Sequence, residues 1–305
     1  MTPTHARPRG RRVPSIIVHG GAGAPPAAAA EFRPGIRDAV AAGWSVLAAG
    51  GSALDAVEAA VRSLENHERF NAGRGSVLTE DGTVEMDASI MEGDRLACGA
   101  VAAVSRVANP VRLARHVLED GRHVLLVGEG AHRFARALGV PDCDPTSLIT
   151  ERQRRGLAER LGSRAAQAAE SRGTVGATAL DRHGTVAAAT STGGMVGKRS
   201  GRVGDSALIG CGTYADSSLG GVSCTGDGEA IIRVVLGRRA LDYLKEADDP
   251  EYAAKVAVDL LVEEGRGEGG LILVDWRGRI GYAHSTPLMP VGWMTPALSE
   301  PAVPF

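Results

Sequence analysis

Gly173-Thr174-Val175-Gly176-Ala177-Thr178 joins a polar, helix-prone tract to a β-hairpin made of residues 175–180, the turn Asp181-Arg182-His183-Gly184 and residues 185–189. A hydroxyl is a weak nucleophile unless a base sits beside it, and a threonine that begins a chain carries such a base in its own α-amine. With a pKa near ~8, that amine suits the task at neutral pH. For Thr174 to begin a chain, the Gly173-Thr174 bond must break. Glycine tolerates the backbone angles and close approach that attack on its own carbonyl requires. The stretch therefore points to a threonine made terminal by self-cleavage, although a glycine-bearing strand start alone is also ordinary loop chemistry. The residues on either side decide between these readings.

Working outward, hairpins recur. An Asp81-Gly82 turn separates residues 77–79 from 83–89, and residues 271–282 fold about Trp276-Arg277-Gly278; both are hairpin signals. Further strands are expected at 13–18, 97–105 and 124–127. Apolar residues at helical spacing (Ile36, Val40, Trp44 and Leu47, then Leu54, Val57, Val61 and Leu64) give two helices split at Gly50-Gly51. The second opens on Ser52 as N-cap, with Asp55 three residues on. Other helices are expected after the Asn109 cap, at 131–138, at about 228–246 and at 251–264. Between Gly139 and Gly173 the pattern decays into a tract of Arg, Gln, Glu and Ala that reads as a mobile linker with a poorly packed helix. A chain break is tolerated best in such a place.

Hairpins imply antiparallel pairing, and helices that come in pairs argue against a doubly wound or barrel architecture. The fold class expected is α+β: an αββα sandwich of two packed antiparallel sheets flanked by helices. Residues 1–305 form one domain, to be cut into 1–173 and 174–305, with the flexible linker at about 140–173.

At 305 residues, 44% hydrophobic and net charge −2, the chain can bury a full core and has no bias towards nucleic acid or anionic membrane. No apolar run approaches the roughly 18 residues of a membrane helix, and no apolar segment follows the basic opening, so a cytoplasmic protein is expected. Cys98, Cys143, Cys211 and Cys224 have neither metal nor disulfide-framework spacing and read as free thiols. His19-Gly20-Gly21-Ala22-Gly23 fits neither phosphate-loop pattern and reads as close backbone packing.

Three small polar clusters follow the hairpin: Thr190-Ser191-Thr192-Gly193-Gly194, Gly201 to Ser206, and Cys224-Thr225-Gly226-Asp227-Gly228-Glu229. Thr225 and the N–H of Gly226 suit an oxyanion hole. Arg202 and Asp205 suit the α-carboxylate and α-ammonium of an amino acid.

Together with Phe70-Asn71-Ala72-Gly73 and Gly269-Gly270-Leu271-Ile272, these runs resemble the plant-type asparaginase and isoaspartyl peptidase family of N-terminal nucleophile hydrolases across roughly residues 13–293. The resemblance implies that Thr174 is both self-processing and catalytic nucleophile, that Thr192 helps activate it, and that Thr225 and Gly226 form the oxyanion hole. It also implies that Arg202, Asp205 and Gly228 bind the aspartyl moiety and that Asn71 assists cleavage after Gly173. The substrates implied are L-asparagine and β-aspartyl dipeptides, with a dimer of αβ protomers and neither nucleic acid nor membrane as partner. No cofactor is required, but a structural sodium ion is implied, held by backbone carbonyls of the loop that here includes Leu64, Glu65, His67, Phe70 and Ala72. Ala207 stands where the family usually has proline, and Arg199-Ser200 where leucine-proline is common; both flank the pocket. A glycosylasparaginase-type hydrolase using the same nucleophile, or an uncleaved inactive homologue acting as a binding protein, are the alternatives.

Overall fold

A computed structural model describes residues 10–162 and 173–305. In chain order the elements are β1 (Ser15–His19), α1 (Ala29–Ala48), α2 (Ala53–Glu65), β2 (Met86–Glu92), β3 (Ala97–Val104), α3 (Pro110–Asp120), β4 (Leu125–Val127), α4 (Gly128–Ala137), α5 (Glu151–Gly162), β5 (Val175–Leu180) and β6 (Val186–Thr192). After them come β7 (Thr213–Asp216), β8 (Gly220–Gly226), α6 (Gly228–Val234), α7 (Leu236–Ala247), α8 (Pro250–Glu263), β9 (Gly269–Asp275), β10 (Ile280–His284) and β11 (Val291–Met294). A seven-stranded sheet, β11-β1-β5-β6-β2-β3-β4, lies against a four-stranded one, β10-β9-β8-β7. The α+β sandwich expected from sequence is the observed architecture.

Because successive strand residues point to opposite faces, each central strand feeds two cores. Ile16 and Val18 of β1 pack with Ile36, Val40, Val57, Val61 and Leu64 of α1 and α2, whereas Ile17 joins Leu180, Val186, Ala188, Ile272 and Val274 between the sheets. On the far side, Val222, Cys224, Leu271 and Leu273 meet Leu236, Leu241 and Leu261 of α7 and α8. Four layers are thus held by three apolar seams. This is why β5 and β6 are buried along their whole length.

Several local expectations change. All strand pairs are antiparallel except β3 with β4, which pair in parallel because α3 carries the chain across between them. Asn109 occupies the N-cap position of α3 without capping it: its amide donates to Asn66 Oδ1, and Val111 N–H donates instead to buried Glu65 Oε1. Ser52 does cap α2, accepting from Asp55 N–H and donating to the Asp55 carboxylate. The helix expected over about 228–246 is broken at Val235, whose φ of 52° is left-handed. Within the tract expected to be a linker, α5 is docked: Leu148 just before it is buried, and Gln153 donates to Gly75 O at 2.5 Å. The remainder of that tract, 163–172, lies outside the described residues, as does the basic opening up to residue 9. Among the described residues no helix is long and apolar enough to cross a membrane.

Ile272 is fully buried in the seam between the sheets. Ile272→Ala leaves a cavity that neighbouring strands cannot close, so urea unfolding should show a loss of about 2–5 kcal/mol. A loss under about 0.5 kcal/mol would mean that the two sheets are not packed as described.

Candidate active site

The site forms where the open end of the sandwich exposes the starts and ends of central strands. β5 and β6 pair with Val175 opposite Ser191, which sets Thr174 beside Thr192. Thr174 is 6% exposed, and its Oγ1 donates to Thr192 Oγ1 at 3.2 Å. Thr192 Oγ1 in turn donates to Gly173 O at 3.0 Å and accepts from Gly194 N–H at 2.9 Å. A second donor reaches the same carbonyl: Asn71 Nδ2 lies 2.6 Å from Gly173 O and 2.7 Å from Gly194 O. Its amide orientation is fixed because Asn71 Oδ1 accepts from Val77 N–H at 2.8 Å. The Gly173 carbonyl is therefore polarised by two preorganised donors, and a hydroxyl relay runs from Thr174 through Thr192 to the same oxygen.

The glycine-rich turn after β1 closes over this peptide. Gly21 has φ of 103°, and a Cβ there would lie 2.8 Å from Gly173 Cα and 3.0 Å from Thr174 N. Only glycine fits. The next residue, Ala22, donates its N–H to Thr225 Oγ1 at 3.1 Å, which leaves the hydroxyl's own proton available to donate. Thr225 is fully buried just behind the cleft, while Gly226, the last residue of β8, reaches the cleft wall.

Gly173, Thr174, Thr192, Gly194, Arg202 and Asp205 share that cleft with Met195, Gly226 and Gly228. Sequence reasoning assigned Arg202 and Asp205 to the two charged ends of an amino acid; the structure adds Glu229 as a partner of Arg202. Its Nε and Nη2 donate to the two carboxylate oxygens of Glu229 at 2.9 and 2.8 Å. This clamp holds the guanidinium by one edge and leaves its Nη1–Nη2 end towards Gly194 for a carboxylate. Asp205 is 5% exposed and its Oδ2 has no hydrogen-bond donor. Burial, only partly offset by Arg202, pushes its carboxyl up to about 7. A buried acceptor without a donor is a site for an ammonium. Gly228 keeps the two charges accessible, since a Cβ there would stand 2.7 Å from Arg202 Nη2 and 2.9 Å from Asp205 Oδ1.

The backbone behind the charge pair is braced by Asp87, which sequence reading passed over as one residue in an alternating strand. Asp87 is opposite Thr192 in the sheet and accepts from Gly204 N–H at 3.0 Å and Ala103 N–H at 2.9 Å. Burial raises its carboxyl pKa, and buried Lys198 opposes the shift. Glu229 and Asp87 both lie in runs quoted from sequence, but only the folded register shows what they touch.

In the loop where sodium is implied, Leu64 O accepts from His67 N–H, Glu65 O from Arg74 N–H and His67 O from Phe70 N–H. Each such oxygen retains a second lone pair. The oxygens of Glu68 and Phe70 also converge on Gly75. Hard, neutral oxygens of this kind suit a monovalent cation. Among the described residues no cluster of His, Cys, Asp and Glu could hold a metal ion.

Asp205 makes a stability prediction that needs no ligand. Its folded pKa of about 7 lies above the ordinary 3.8 of an aspartate, so its carboxyl favours folding at low pH, and that contribution is lost as pH rises through 7. Asp205→Asn should thus gain in thermal midpoint relative to wild type between pH 5 and pH 8. A gain that is the same at both pH values would contradict the buried, donor-free carboxylate.

The sequence profile of a family described as asparaginase matches residues 12–300. The Danio rerio protein named isoaspartyl peptidase/L-asparaginase is 47% identical over 271 residues, 87% of each chain. Its Mus musculus namesake is 49% identical over 86% of this chain and 82% of its own. The plant-type L-asparaginase of Pyrococcus abyssi is 45% identical over 302 residues, 94% of this chain and 98% of its own. With a family match over nearly its whole length, this chain belongs to the asparaginase family.

Proposed function

We propose that the protein is an autoprocessed threonine amidohydrolase that cleaves the side-chain amide of L-asparagine and the isopeptide bond of β-aspartyl dipeptides. The observation that carries this reading is the Gly173 carbonyl, held by Asn71 and Thr192 with the Thr174 hydroxyl alongside. In the first step Thr174 Oγ attacks the Gly173 carbonyl carbon, Asn71 and Thr192 stabilise the oxyanion, and the C–N bond breaks to give an ester and a free α-amine. Water then opens the ester, leaving residues 1–173 and 174–305 in one folded body.

In turnover, the new amine takes the hydroxyl proton of Thr174, which attacks the side-chain carbonyl of the bound aspartyl group. Thr225 Oγ1–H and Gly226 N–H stabilise the oxyanion. The leaving amine departs with a proton, and water hydrolyses the β-aspartyl ester. Arg202 and Asp205 bind the α-carboxylate and α-ammonium, with Gly228 leaving room for both. The names of the relatives, isoaspartyl peptidase/L-asparaginase and plant-type L-asparaginase, support the substrate class.

The proposal includes a dimer of αβ protomers acting in the cytoplasm, to which four free cysteines are suited. It also includes a sodium ion held by the carbonyls of Leu64, Glu65, His67, Phe70 and Ala72. That ion would supply positive charge to brace the loop into Asn71; no chemical step passes through it.

Hydrolysis of four compounds tests the charge pair. β-Aspartyl-leucine and asparagine should be cleaved, whereas α-aspartyl-leucine and N-acetyl-asparagine should be slower by about a thousandfold, because each leaves one buried charge unpaired. Comparable rates on all four would remove Arg202 and Asp205 from the substrate site. Thr225→Val should fold and self-cleave but lose about 10²–10³ in kcat. Near-normal turnover by the cleaved variant would refute its role as oxyanion donor. Asn71→Asp, which turns a donor into a repelling carboxylate at 2.6 Å from Gly173 O, should slow cleavage in a gel time course; wild-type speed would sink the role of Asn71.

A further inference from the structure

Asp87 makes two kinds of contact that meet at the cleft. Its main chain lies opposite Thr192, whose hydroxyl accepts from Thr174 Oγ1 and donates to Gly173 O. Its side chain reaches the turn that carries Arg202 and Asp205, where Oδ2 accepts from Gly204 N–H at 3.0 Å. Gly204 is pressed against the guanidinium, since a Cβ there would stand 2.7 Å from Arg202 Nη1, and it directly precedes Asp205. A shift of Gly204 therefore moves both charged groups at once.

The neighbouring strand is shaped to aim this carboxylate. β2 pairs with β3 through Met86 opposite Val104 and Ala88 opposite Val101, so Asp87 faces two residues, Ala102 and Ala103, across a bulge. Ala103 has a φ of 51°, a left-handed backbone that a residue with a Cβ adopts rarely. Its N–H turns to Asp87 Oδ1 and donates at 2.9 Å. Each oxygen of one fully buried carboxylate thus holds one main-chain N–H, and a buried charge of this kind needs a counter-charge. Lys198 supplies it. This lysine is buried too; its Nζ donates to Glu85 O at 2.8 Å, two residues before Asp87, and its stem lies against Gly194, where a Cβ would be 3.0 Å from both Cδ and Nζ. Burial raises the Asp87 carboxyl and lowers the Lys198 amine, and the charge of each opposes the shift of the other. Arg202 acts on both, Glu85 acts on the lysine, and Asp87 and Glu229 act on Asp205.

We propose that Asp87 is a positioning residue: ionised and balanced by Lys198, it sets the distance between the hydroxyls of Thr174 and Thr192 and the turn of Arg202 and Asp205. That distance is the length of substrate the cleft accepts between a reacting side-chain carbonyl and the two charged ends. The inference rests on the proposed reaction for Arg202 and Asp205 as the partners of those ends, but its charge balance is tested without substrate.

Asparagine and glutamine differ by one methylene along this length, so hydrolysis of the two by protein cleaved at Thr174 reads it out. Wild type should favour asparagine in kcat/KM by at least about tenfold, which one methylene can supply. Asp87→Asn turns one accepting oxygen into an amide that faces an N–H. It should raise KM for asparagine roughly tenfold, keep kcat within about threefold, and lower the ratio of asparagine to glutamine by at least about threefold. No preference in wild type, an unchanged ratio in the variant, or a fall in kcat alone as from a smaller active fraction would overturn the proposal. Should Asp87→Asn not fold, Lys198→Met is expected to lower the same ratio, and a wild-type ratio there contradicts the proposal equally. Thermal melting of both variants and their combination tests the charge balance. Lys198→Met should lower the midpoint less in the Asp87→Asn background than in wild type, and equal losses would break the pairing. If wild type hydrolysed neither asparagine nor β-aspartyl-leucine, the reaction reading would fail while the melting cycle still decided whether Asp87 and Lys198 act together.

Discussion

The carbonyl oxygen of Gly173 accepts from the Asn71 amide and the Thr192 hydroxyl, and the arrangement of the rest of the molecule follows from keeping those two donors in place. One donor comes from a loop and the other from the end of β6, so neither local sequence nor a single element can bring them together. The sheet register does so: β6 lies between β5 and β2, which sets Thr192 beside the start of β5 on one side and opposite Asp87 on the other. Asn71 has both amide hydrogens engaged and its oxygen tied to Val77 N–H, so the donor that faces the carbonyl cannot swing away without breaking three contacts. Donors preorganised in a water-poor site act on developing charge without reorganising, which is where most of their effect arises.

A sandwich of four layers gives such a site rigid walls. The inter-sheet seam carries a run of buried hydroxyl hydrogen bonds through Ser223, Thr190, Thr213 and Ser89 alongside its apolar packing. Fully paired buried networks specify geometry more strongly than apolar contacts do, because a half-paired one is costly. Asp205 is among the buried groups that are left short of a partner. It is buried, near the guanidinium of Arg202, and short of a donor at Oδ2, a state that costs stability and that the proposed reaction uses to receive an ammonium.

Much of this was legible in the chain itself. Hairpin turns, paired amphipathic helices and the glycine-threonine junction gave the architecture, since each rests on short-range periodicity or turn chemistry. The family resemblance supplied the grouping of Asn71, Thr174, Thr192, Arg202, Asp205 and Gly226, which the folded structure brings into one cleft or against its wall. What escaped was non-local or depended on one partner. The Glu229 clamp on Arg202 spans 27 residues, so nothing in the local sequence marks it. Glu65 takes over the cap of α3 from Asn109 because a buried carboxylate reaches Val111 N–H across 46 residues. β7 and β8 were hidden because Gly220 to Gly226 is small and polar, with little apolar alternation to mark it. α5 looked poorly packed because it docks mainly through polar contacts, from Gln153 to Gly75 O and from Arg152 to Glu68 O and Arg69 O, in place of an apolar stripe.

The central claim is that Thr174 becomes a chain terminus. N-terminal sequencing of the purified, active protein tests it most directly. The account predicts a second sequence, Thr-Val-Gly-Ala-Thr-Ala, in equal amount to the original N-terminus and absent from Thr174→Ala. Activity in a protein with one N-terminus only, or a second terminus that begins at any other residue, would contradict it.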